Sequence, residues 1–300
     1  MNTFFAPRLL SLLLLTATCC GAYATELSSP PANATTPPMT ETEAVSLASG
    51  AKNGDTVAVQ RLLDSARAND PKAQTYLAAY LDLTGDHAQA ADWYGKAANQ
   101  GVAWAQYKLG LLYLNGTGVP RDYVKASEWL HKASDQNVSE AQFQMGLLYS
   151  NGTGVVRDYN RAAEFFRKAA NQGNAMAQNN MGVFYESGRG VPLDLAEAAD
   201  WYRRAAEQGN PKAQNNLAVL YENGRGVPKD YVMAAEWYRK AALQGYSRAQ
   251  NNLGILYDNG LGVAQDYAKA ADWFRKASEQ GNSDAQKNLG VLYSTGLVKP

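Results

Sequence analysis

The dipeptide Ala-Gln returns down this chain at one fixed step. Ala105, Ala141, Ala177, Ala213, Ala249 and Ala285 each lie 36 residues after the last. Other landmarks keep the same register: Tyr113, Tyr149, Tyr185, Tyr221, Tyr257 and Tyr293 form one column, and Ala126, Ala162, Ala198, Ala234 and Ala270 another. Trp129, Phe165, Trp201, Trp237 and Trp273 form a third. A period of this length denotes one helix-turn-helix unit per repeat. Such a unit cannot bury its apolar face alone, so the units must stack. The expected fold is therefore all-α, a right-handed α-solenoid of antiparallel helix pairs.

Within the unit 102–136 the apolar residues show how each pair is built. Ala105, Leu109, Leu112 and Tyr113 fall at i, i+4, i+7 and i+8, one face of a first helix. Ala126, Trp129, Leu130 and Ala133 do the same for a second. The residues 115–122, Asn-Gly-Thr-Gly-Val-Pro-Arg-Asp, end one helix and begin the next, with Asp122 as the expected N-cap. Gly110 recurs as Gly146, Gly182, Gly254 and Gly290, with Ala218 once, so small volume is required where two helices approach. Glu128 with Lys132 recurs four times as an acid-before-base pair at i, i+4, predicting a self-neutralised outer face.

These residues resemble the Sel1-like repeat family, relatives of the tetratricopeptide solenoids. The pattern Ala-x-x-x-Leu-Gly-x-x-Tyr-x-x-Gly-x-Gly-Val-x-x-Asp-x-x-x-Ala-x-x-Trp carries the resemblance over residues 71–300. It implies a binding surface, with the partner unspecified. Some exported relatives are stapled by one disulfide per repeat and are described as β-lactamase-like. This chain has two cysteines, Cys19 and Cys20, neither inside the repeats.

Three segments precede the repeats. Residues 1–24 read as a signal peptide, with the apolar run Leu9 to Leu15 and Ala22-Tyr23-Ala24 before the cleavage point. Lipidation at Cys19 or Cys20 is the alternative, but neither is preceded by the expected Leu at minus three. Residues 25–40, rich in Pro and Thr, read as a linker. Residues 41–70 keep Val59, Leu62, Leu63 and Ala66 at helical spacing and read as degenerate capping helices. In the first repeat Ala73 lies only 32 residues before Ala105, so its inter-helix turn has lost four residues. The expected location is periplasmic or secreted, with no integral membrane segment after cleavage.

Chemistry-bearing constellations are sparse. His87 and His131 stand in different repeats without paired cysteines, so neither a metal site nor a cofactor is expected. Asp122, Asp158, Asp194, Asp230 and Asp266 recur as caps, and the Gly-x-Gly turns lack the Lys-Ser/Thr of a phosphate loop. No catalytic residue is assigned. The 28 basic and 28 acidic residues cancel, which argues against a nucleic-acid surface.

Function should sit where the repeats differ. On the first helix, by the 100° advance per residue, the columns of Tyr107 and Leu114 lie opposite the buried stripe and Trp104 flanks them. The 107 column reads Tyr107, Phe143, Asn179, Asn215, Asn251 and Lys287. Trp104, Tyr107 and Phe143 are the candidate clamp for an apolar side chain of a partner. Asn179, Asn215 and Asn251 are the candidates for hydrogen-bonding an extended peptide backbone. The leading expectation is a non-enzymatic exported scaffold that binds another protein or peptide through a concave face, in a regulatory, immunity-like or host-interacting role. A peptidoglycan or envelope-glycan binder is the alternative, and a weak β-lactamase-like hydrolase the third reading.

Overall fold

The computed structural model describes residues 39–299, and fifteen α-helices account for its secondary structure. They are α1 (Glu41–Lys52), α2 (Thr56–Arg67), α3 (Pro71–Thr84), α4 (His87–Asn99), α5 (Ala103–Asn115), α6 (Tyr123–Asp135), α7 (Ser139–Asn151) and α8 (Tyr159–Asn171). There follow α9 (Ala175–Ser187), α10 (Leu195–Glu207), α11 (Pro211–Asn223), α12 (Tyr231–Leu243), α13 (Ser247–Asn259), α14 (Tyr267–Glu279) and α15 (Ser283–Ser294). The segment 1–24 expected to be a signal peptide, both cysteines and the expected linker as far as residue 38 lie outside the described residues. The next two linker residues already belong to the fold: Met39 is buried and donates its N–H to Asp70 at 2.7 Å, and Thr40 caps α1.

Consecutive helices pack as antiparallel-style pairs in an all-α solenoid, divided into two compact units. The first holds α1–α6, and the second holds most of α7 and all of α8–α15. Within each, the helix termini follow the recurring polar residues. Asp122, Asp158, Asp194, Asp230 and Asp266 each accept backbone N–H groups of the following first turn. These bonds, joined by Lys125 and Lys269, hold the Asp122 and Asp266 carboxyls below their ordinary range.

The two glycine columns do different work. An added Cβ at Gly182 would stand 2.5 Å from the Tyr202 ring, and at Gly254 2.6 Å from Phe274, so this column lets the second helix lie against the first. The second glycine of each Gly-x-Gly turn instead serves stacking. At Gly190 (φ +65°) a Cβ would overlap the Tyr159 carbonyl of the preceding repeat, and at Gly226 that of Leu195.

The repeated Ala-Gln also acquires a structural reason. Gln178 donates from Nε2 to the buried carbonyl of Ala170 at 3.1 Å, a second donor beside the Gly173 N–H at the end of the preceding helix. Its own Oε1 accepts from Gln208 at 2.6 Å. The same two-link pattern recurs at Gln74, Gln106, Gln214 and Gln250, all buried. Buried amides are tolerated because each is paired.

On the outer face the structure departs from the i, i+4 expectation. The cations of that column lie over the aromatic ring of their own helix: Lys132 over Trp129 at 4.0 Å, Arg204 over Trp201 at 4.6 Å and Lys240 over Trp237 at 3.8 Å. Asp200 and Asp272 pair with Arg203 and Arg275 at i+3 instead. A large ring three residues away offers the cation both a quadrupole and contact area, which an exposed carboxylate does not.

Candidate functional site

The first unit carries Trp104 and Tyr107 on α5. Their ring centroids are 5.1 Å apart at 48°, both half-buried, with the Lys108 ammonium 5.6 Å from the Trp104 ring centre. The Trp104 indole N–H is buried without an acceptor among the described residues. Burial, with the Glu140 charge adding to it, pushes the Tyr107 phenol up to about 12, so it stays a neutral donor. These two residues are brought together; each keeps part of its ring open.

The second unit carries Phe143, Asn179, Asn215 and Asn251. Phe143 is 8% exposed and packs on Phe166 at 5.9 Å, itself edge-on to Phe184 at 5.2 Å. The three asparagines are buried rather than solvent-facing, because the next repeat lays a second asparagine on each. Asn216 donates to Asn179 at 3.2 Å, Asn252 to Asn215 at 3.3 Å and Asn288 to Asn251 at 3.0 Å. Longer links of 3.5 Å run from Asn215 to Asn216 and from Asn251 to Asn252. The result is one amide row, Asn288 to Asn251 to Asn252 to Asn215 to Asn216 to Asn179, across four first helices.

The column of Asn216, Asn252 and Asn288 is thus part of the site, although the candidates taken from the sequence lie in the neighbouring column. Its signal was visible as a repeated column, but column membership does not reveal that it is half-buried at the edge of the row. Beside the row, Tyr202 donates to Glu186 at 2.8 Å and Tyr238 to Glu222 at 2.5 Å. Burial first, then these carboxylates, raise both phenols well above their ordinary value. Arg225 pairs with Glu186 at 3.2 Å. Tyr202 and Tyr238 are fully buried behind this surface, which itself offers half-buried amides and paired acids, a set suited to hydrogen bonding. Among the described residues no group of His, Cys, Asp and Glu could hold a metal ion, and no helix is long and apolar enough to cross a membrane.

The Sel1 repeat family matches residues 71–102, 105–138, 139–174, 175–210, 211–246, 247–282 and 283–300. The chain belongs to the Sel1 repeat family. Among solved structures it is similar to a protective antigen of uropathogenic Escherichia coli displaying this fold, at 40% identity and a TM-score of 0.76 over 80% of this chain. That match spans 52% of the antigen's own length. It is also similar to a Sel1 repeat protein of Oxalobacter formigenes, at 34% identity and a TM-score of 0.70, covering 78% of this chain and 96% of that one. None of the curated proteins matches it. Sel1 repeat proteins are generally non-catalytic scaffolds that bind other proteins.

Proposed function

We propose that this Sel1 repeat protein is a non-enzymatic, exported adaptor that binds another protein through an extended segment, using the first helices of its repeats. The amide row carries the proposal. An asparagine side chain has two donor hydrogens and two acceptor sites, the same groups that a peptide backbone presents. Asn216 spends one hydrogen on Asn179 and accepts one from Asn215, which leaves one of each for a partner. Asn179, Asn215 and Asn251 hold the layer, and the half-buried Asn216, Asn252 and Asn288 meet the segment. In the first unit Trp104 and Tyr107 serve as an aromatic anchor, and in the second Phe143 backs the surface through Phe166. Export rests on the apolar run Leu9 to Leu15 and the small residues before position 25.

The test uses the chain from residue 25 immobilised as bait in extract of its native envelope, with captured proteins identified by mass spectrometry. Asn216→Ala with Asn252→Ala, and separately Trp104→Ser with Tyr107→Ser, should each remove the specific partner while circular dichroism shows unchanged helicity. Capture that both variants retain would overturn the assignment of the surface. Retention on purified cell-wall sacculi without any added protein would replace it with the glycan reading.

A further inference from the structure

The first unit holds a cavity of about 280 Å³ between α1, α3, α4 and α5. Its chemistry follows from the shortened turn of the first repeat. In later repeats with tyrosine on the second helix, a glutamate sixteen residues earlier accepts the phenol hydrogen, as Glu186 does from Tyr202 and Glu222 from Tyr238. The corresponding residues here are Asp82 and Tyr94, only twelve apart. The two-residue connection Gly85-Asp86 starts α4 so early that His87 reaches back to Asp82, Nδ1 to Oδ1 2.8 Å. The aspartate is one methylene shorter than glutamate and is taken by the histidine. Tyr94 is left with its hydroxyl fully buried and unpartnered among the described residues.

Two cations line the same cavity. Lys52, at the end of α1, and Lys108, on α5, have no ion-pair partner among the described residues. Lys108 stands in a column filled by Gln144 in the next repeat and by asparagine from Asn180 onward, and desolvation lowers its pKa despite the opposing pull of Asp82. Against these stands one carboxylate, Asp82, already paired with His87. The remaining wall includes Ala48, Ala79 and Leu83. A buried hydroxyl donor and two unpaired ammonium groups around a partly apolar wall call for an anion with an apolar body.

We propose that this cavity binds a carboxylate attached to a small apolar group, with Lys108 and Lys52 facing its charge and Tyr94 donating its hydroxyl hydrogen to an oxygen. A cavity of about 150 Å³ accommodates benzene, so this one takes a single-ring carboxylate or the last residue or two of a polypeptide. The site stands apart from the amide row, and its failure would leave the adaptor reading untouched.

Isothermal titration of the purified chain from residue 25 with 3-phenylpropionate, its neutral amide, and Gly-Gly-Phe with a free or an amidated carboxyl end tests this. Saturable one-to-one binding of a carboxylate is expected, lost for its amide and weakened roughly tenfold or more by Lys108→Met. Tyr94→Phe should weaken it less while leaving the fold intact, because that hydroxyl has no partner to lose. Stronger binding of the free-ended tripeptide identifies a chain terminus as the occupant; stronger binding of 3-phenylpropionate identifies a small acid. No saturable carboxylate binding overturns the proposal. So does binding that the amides share or that Lys108→Met, folded as judged by circular dichroism, leaves unchanged.

Discussion

Replacing Gly190 with alanine tests whether the second glycine of each turn exists for stacking rather than for the turn itself. The backbone there is left-handed at φ +65°, and an added Cβ would overlap the Tyr159 carbonyl of the preceding repeat. Gly209, at φ +88°, ends α10 with nothing within 4 Å of an added Cβ. Both variants pay the left-handed penalty, about 1–2 kcal/mol, offset by about 0.4–1 kcal/mol from the stiffer unfolded chain. Gly209→Ala should therefore cost about 1 kcal/mol. Gly190→Ala adds an overlap with main-chain atoms that cannot rotate away, and forcing a repeat apart costs about 1–3 kcal/mol more. With a urea dependence of about 2 kcal/mol per molar, the midpoint of Gly190→Ala should fall about 1 M below that of Gly209→Ala. The assay is urea unfolding followed by circular dichroism at 222 nm, with tryptophan fluorescence as a second probe. Equal midpoints for the two variants would refute the reasoning, since the left-handed backbone alone would then explain the column.

Three further outcomes are expected. Tyr202→Phe removes a hydrogen bond to a carboxylate, 2.8 Å to Glu186, and should destabilise by about 1.5–3 kcal/mol, whereas Tyr94→Phe should raise the urea midpoint because it removes a buried hydroxyl that has no partner among the described residues. The depressed carboxyls of Asp122 and Asp266 contribute stability that is complete above the unfolded aspartate value of about 3.9 and is lost as pH falls through their lower folded values. Urea midpoints should therefore decline below about pH 4, with a shallower decline in Asp122→Asn, and an identical pH profile in that variant would contradict the assignment. Removing the amide of Gln178 as Gln178→Ala takes one of two donors from the Ala170 carbonyl, which keeps the Gly173 N–H, and the closer acceptor from Gln208, and should cost about 0.5–1.5 kcal/mol in the same titration.

Much of the fold was legible because its signals are local. The 36-residue step, the aspartate caps and the small-residue column each depend on contacts that repeat identically, so one copy explains the others. The Gln ladder was equally periodic yet silent. Gln178 and Gln208 meet across thirty residues, and periodicity gives no clue that one amide accepts from the other. The base of each outer pair was misplaced for a different reason: helix spacing puts Lys240 near both Glu236 and Trp237, and only the ring geometry decides that it lies on the aromatic. At the site, Tyr107 and Trp104 were readable as an aromatic pair. The depth of Asn179, Asn215 and Asn251 was not, because it depends on side chains 37 residues onward.

The same saturation points to where specificity can reside. A repeated network that satisfies every buried amide leaves little for a ligand to complete, and repeats that keep the network are interchangeable by construction. Specific recognition then requires a place where the network fails. Among the described residues three buried side-chain groups have no hydrogen-bond partner: the Tyr94 hydroxyl and the indole nitrogens of Trp104 and Trp201. Two of the three lie on α4 and α5, directly after the turn that lost four residues. An orphaned buried donor is costly, about 1–3 kcal/mol each, and no stacking requirement explains retaining Tyr94 where phenylalanine serves the equivalent position in other repeats, as Phe166 and Phe274 do. A ligand oxygen arriving at that hydroxyl would remove the cost. The deletion near Gly85 is thus best understood as the change that converts a stacking position into a binding position.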